Sequence, residues 1–154
     1  MIGLSQSHSR LSQKVSGSEA VIKDGASVRL VAGEFDEVRG PVTEIAASPL
    51  YLEVSLGPAS SLAISLPLGH TALAYVFEGA GRFGDDQQVV EAVRMVVFDD
   101  GERVEAQSEV GMRFMLIAGA PFREPIVPYG PFVMNTAEEI RQALTELRNG
   151  TFIK

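Results

Sequence analysis

No cysteine occurs among the 154 residues. That excludes a disulfide framework, a thiolate metal site and a cysteine nucleophile. Histidine is nearly as scarce, with only His8 and His70. A transition-metal centre with imidazole ligands normally draws on more than one histidine. Joining these two to a carboxylate would require distant parts of the chain to converge, so within one protomer the sequence reads as metal-free. Long apolar runs are missing as well. The longest, such as Phe114 to Ala118, are strand-sized, so no membrane-spanning helix is expected. The first 18 residues carry six serines and no apolar h-region. They do not read as a secretory signal, and a cytoplasmic protein is the default expectation. Thirteen basic residues stand against twenty acidic ones, for a net charge of −7. The basic residues are scattered, whereas counterion release from nucleic acid needs them clustered, so no direct nucleic-acid binding is expected. The acidic balance serves solubility. No nucleophile elbow, phosphate-cradling loop or dinucleotide fingerprint is present. Gly79-Ala80-Gly81 follows a strand pattern without opening a helix and reads as a turn. Internal repeats are not evident.

What remains is a sequence of one domain's size, 45% apolar and 21% charged, as globular chains are. Residues 1–18 are polar and aperiodic and read as an arm or linker remnant, leaving 19–154 as the folded domain. Tyr51 to Leu56 alternates, with Leu52, Val54 and Leu56 on one face and Tyr51, Glu53 and Ser55 on the other. Leu62, Ile64 and Leu66 repeat the pattern after a turn at Gly57-Pro58. Val28 to Ala32, Leu73 to Phe77, Val93 to Phe98, Arg103 to Ala106 and Met112 to Ala118 read as further strands. Short strands at this spacing, with turn residues between them, predict an antiparallel sandwich or barrel. Only the end of the chain predicts a helix. Thr136-Ala-Glu-Glu139 has the form of a capping box. Ile140, Ala143, Leu144 and Leu147 then make one apolar face, and Gly150 suits the left-handed stop.

Three stretches together resemble a known family. Asp24-Gly-Ala-Ser-Val-Arg-Leu-Val-Ala-Gly-Glu34, with Gly40-Pro41-Val42, is similar to the start of the second pirin domain. Leu66-Pro-Leu-Gly-His70-Thr-Ala-Leu-Ala-Tyr75-Val-Phe-Glu-Gly79 resembles that domain's central hairpin. Ala118-Gly-Ala-Pro-Phe-Arg-Glu-Pro125, followed by Tyr129-Gly-Pro-Phe-Val-Met-Asn-Thr136, resembles the C-terminal signature. The resemblance runs from Ala20 to Ile153. It implies a mainly β chain, a cupin or jelly-roll barrel with one C-terminal α-helix. Pirins are two-domain cupins whose single metal, usually iron, sits in the N-terminal half, held by histidines and a glutamate. Some members resemble quercetin dioxygenases, and animal pirin is a nuclear transcriptional coregulator. This chain begins at about the interdomain linker, so the metal-binding half is expected to be absent.

The resemblance also implies where a cupin metal would sit. Anchored on Gly79, the pattern sets Ala72 at the glutamate position and Ser65 or Leu66, and Pro67 or Leu68, at the histidine positions. Anchored on Gly101, it sets Val104 at the last histidine position. None of these side chains ligates a metal, and no cofactor is expected. His70, Tyr75 and Glu78 are the candidates for catalytic work. His70 reads first as a structural histidine near a turn, because acid–base chemistry needs Tyr75 or Glu78 within its reach. Glu78 reads as part of a strand-closing Glu-Gly pair. Arg123-Glu124 reads as a local ion pair or a solvated edge, and Tyr129, Phe132 and Met134 as packing residues. The expectation is a non-catalytic barrel that acts by association, as a homodimer or with a separate pirin N-terminal-type domain. The alternatives are a quercetinase-like metal-dependent dioxygenase and a small-molecule-binding cupin.

Overall fold

Alternation of apolar and polar residues, the main signal in the sequence, is realised strand by strand. The computed structural model describes residues 12–15, 18–23, 25–42 and 45–153, with side chains over the last two ranges. The chain divides into two compact units after Pro121. The first contains β1 (Ser12–Val15), β2 (Ser18–Lys23), β3 (Ala26–Ala32), β4 (Glu34–Phe35) and β5 (Val38–Arg39). It continues with β6 (Leu50–Leu56), β7 (Ser60–Ser65), β8 (Thr71–Phe83), β9 (Val90–Glu91), β10 (Arg94–Val97), β11 (Arg103–Ser108) and β12 (Met112–Gly119). Its curled antiparallel sheet runs β1-β2-β3-β6-β12-β8-β11-β7, and β9 and β10 also pair with β8. Ser12–Val15, expected to belong to an arm, pairs instead with β2 and adds a strand to the sheet. Residues 1–11, and with them His8, lie outside the described residues.

A second expectation is corrected at β8. The glycines at 79 and 81 do not end the strand, which continues through them to Phe83. They are required by close approach: a Cβ on Gly81 would lie 2.5 Å from the Gln107 carbonyl oxygen, and one on Gly79 would lie 2.1 Å from that of Gly111. Gly79 also takes a positive φ of 74°, which costs glycine little. β8 therefore pairs with β12 and β10 over its first part and with β11 near its end. That curls one sheet around a core of Leu30, Leu52, Val54, Ile64, Val76, Met112, Phe114 and Leu116.

Part of the outward face is apolar too. Across four strands Tyr51, Ile117, Leu73 and Val97 lie directly opposite one another. The neighbouring row is Glu53, Met115, Tyr75 and Met95. The Tyr51 hydroxyl donates to Met115 Sδ at 2.9 Å. Arg113 borders these rows. It donates to Glu53 at 2.7 Å and Glu78 at 2.9 Å and lies 4.9 Å above the Phe77 ring. The hydrogen bond to Glu53, then that to Glu78, holds its guanidinium pKa above the ordinary value.

In the second unit, β13 (Val127–Tyr129) pairs with β14 (Phe132–Met134), and α1 (Ala137–Asn149) lies against this hairpin. The capping box forms as expected: Glu139 N–H donates to Thr136 Oγ1, and Thr136 N–H donates to Glu139 Oε2 at 2.8 Å. Gly150 closes the helix at φ 69°. Ile140 and Ala143 are buried, whereas Leu147 is 55% exposed. Of the two readings of Arg123-Glu124 the solvated edge holds: both residues are exposed, and Glu124 accepts from Asn135 Nδ2 at 2.7 Å. Phe132 packs edge-on against Phe152 at 5.6 Å, while Tyr129 stays exposed.

Candidate functional site

A concavity of about 1070 Å³ opens at the mouth of the curled sheet. One side is the β4–β5 hairpin, whose two-residue loop places Asp36 at φ 50° and Glu37 at φ 67°. Two consecutive positive φ values give the primed turn that suits the twist of a hairpin. Glu34 and Arg39 pair across its strands at 3.2 Å. Facing it are Ser48 to Leu50 and the turn from Ser65 to His70. Val42, Leu50, Leu66 and Pro67 add apolar lining, so the cavity combines an acidic rim with apolar walls.

His70 is set by its turn. Its backbone N–H donates to the Pro67 carbonyl at 3.2 Å, and Gly69 N–H donates to Asp100 Oδ1 at 3.2 Å. The His70 ring lines the mouth, and its Nδ1 is buried without a hydrogen-bond partner among the described residues. Buried polar atoms are seldom left unpaired.

Tyr75 and Glu78 are not brought to His70. Ala74 and Val76 point into the core from β8, so Tyr75 lies on the outer face, half-buried between Met95 and Met115. Glu78 is solvent-exposed and paired with Arg113. Eight residues of strand carry the chain from His70 to Glu78, roughly 26 Å at the usual rise. The three candidates therefore do not form an acid–base group. The acidic rim of Glu34, Asp36 and Glu37 was missed by sequence reasoning, because the hairpin lacks the Asn-Gly or Asp-Gly signature that announces such a turn.

Leu66, Ala72 and Val104 are buried in the apolar core, at positions where the cupin pattern sets metal ligands. Ser65, Pro67 and Leu68 are exposed and offer neither imidazole nor carboxylate. Among the described residues no three His, Cys, Asp or Glu side chains gather so as to hold a metal ion. These side chains do not fit an iron site built from histidines and a glutamate.

A curled antiparallel sheet with an apolar interior and an open mouth makes this chain a cupin. Its residues 51–153 match the model of the pirin C-terminal cupin domain. The chain belongs to the pirin family. It is 37% identical over 135 residues to a pirin-like protein of Arabidopsis thaliana, covering 82% of this chain and 43% of that protein. Human pirin is 37% identical over 131 residues, covering 82% of this chain and 45% of that one. The solved structure of a quercetin 2,3-dioxygenase from Acinetobacter baumannii superposes with a TM-score of 0.75 at 31% identity. That match covers 83% of this chain and 44% of the other. The chain thus spans less than half the length of these relatives.

Proposed function

We propose that this chain is a non-catalytic association module, metal-free within one protomer, that pairs with a second copy or with a separate pirin N-terminal-type domain. The outer face of the sheet carries this reading. Tyr51, Ile117, Leu73 and Val97 form one apolar row across four strands, and Met115, Tyr75 and Met95 a second across three, half-buried for the most part and exposed at Ile117, Met95 and Val97. A contiguous apolar patch that reaches solvent in this way marks an interaction site more often than a solvated one. The donor-poor barrel interior supports the metal-free part. Elemental analysis of unchelated protein, with its mass in solution from the same sample, tests both parts. The expected result is metal far below one ion per chain and a mass above that of a monomer. Stoichiometric iron, nickel or copper would favour the dioxygenase reading instead, and His70 would be the first residue to replace.

A second reading, a small-molecule-binding cupin, is favoured by the roomy mouth, which His70 helps to line. A guest resting on Val42, Leu50 and Leu66 would raise the melting temperature through linkage. A thermal-shift screen with flavonoids and fatty acids checks this. A shift lost in His70→Ala supports the reading, and no shift with either class removes it.

A further inference from the structure

We infer that β10 is the seam through which two copies of this chain join, edge to edge and antiparallel about a two-fold axis. The inference rests on the association reading and names where and with what the association occurs. Among the described residues β10 has a strand neighbour, β8, on one side only. Phe98 N–H donates to the Ala72 carbonyl at 3.0 Å, which fixes the phase of the ladder. In an antiparallel pair hydrogen bonding alternates residue by residue. Arg94, Val96 and Phe98 therefore bond towards β8, and the N–H and C=O groups of Met95 and Val97 point to the open side.

Natural edge strands are usually guarded by lysine, proline, a bulge or a covering loop. This one is not. Val93, Met95 and Val97 are 68%, 62% and 64% exposed. Met95 and Val97 stand at the end of the apolar rows, so an added strand would extend those rows rather than break them. An extended strand laid on such an edge gains main-chain hydrogen bonds along its length, as in strand-addition complexes.

Charge decides the occupant and its direction. β10 begins at Arg94 and runs out into Asp99 and Asp100. Asp100 already accepts from Gly69 N–H, while Arg94 and Asp99 have no side-chain partner among the described residues. Antiparallel pairing of two identical strands sets the Arg94 end of each beside the acidic end of the other, twice over. Parallel pairing would stack arginine on arginine and aspartate on aspartate. A second copy supplies an unpaired edge, matching apolar side chains and the complementary charge together, and a two-fold axis closes the assembly at two subunits.

Sedimentation velocity on the full chain over a concentration series tests the seam, with hydrogen exchange followed at Met95 and Val97. Wild-type protein is expected at twice 16.5 kDa, with those two amides slowing as concentration rises. Val97→Lys should sediment at 16.5 kDa with unchanged circular dichroism, since the replaced side chain is exposed. Arg94→Asp should weaken the dimer by setting acidic groups at both ends of the seam. A dimer indifferent to Val97→Lys, with no protection at β10, overturns the seam and leaves self-association standing through another surface. A monomer at every concentration also overturns it. If that monomer still captures a purified pirin N-terminal-type domain, the broader association reading survives; if it does not, both fall.

Discussion

Phe114 meets Phe83 edge-on at 5.2 Å, and Phe83 meets Phe98 at 5.5 Å. These rings fill the interior between the two parts of β8's pairing. Phe114 is fully buried, so Phe114→Ala removes a large apolar volume that its neighbours cannot refill. The expected cost is about 3–5 kcal/mol, read as a lowered urea midpoint with an unchanged slope. Single residues also show where sequence reading stops. In β6 the polar Glu53 and Ser55 tell the two faces apart, and the inward set was legible. In β8 both sets are apolar: Ala72, Ala74 and Val76 face in, while Leu73, Tyr75 and Phe77 face out. Periodicity without contrast does not orient a strand. Tyr75 consequently looked available to His70 when it lies on the opposite side of the sheet.

Among elements, the terminal helix was the most legible because its signals are local. Cap, first turn, apolar face and stop all fall within fifteen residues. Thr136 and Glu139 satisfy each other's backbone N–H groups, and Thr136→Ala leaves one of them unpaired. The helix should lose about 1 kcal/mol, measured as faster amide exchange over the first turn of α1, with exchange in β8 and β12 unchanged. β8 was less legible for the opposite reason. Glycine usually punctuates, and in sequence Gly79-Ala80-Gly81 reads as a turn. Here the glycines admit the backbone of Gln107 and Gly111 at distances no side chain would allow. That pressure comes from residues some thirty positions away, which no local window contains. The mouth was illegible on the same ground, since it joins the β4–β5 hairpin to the turn before β8.

For the whole molecule, the order of strands in space differs sharply from their order in sequence. β12, the last long strand of the first unit, lies between β6 and β8 and pairs with both along nearly its full length. Everything earlier is arranged around a place that only residues 112–119 can fill. Chains dominated by such distant pairings fold slowly, because loop closure must be paid for before the contacts form. On a ribosome, which delivers the chain from its N-terminus, β6 and β8 emerge with two facing edges and nothing to set between them. The barrel closes only when β12 has left the exit tunnel, in one late event rather than strand by strand. Until then the nascent polypeptide exposes the apolar side chains of both edges to whatever else is being made nearby.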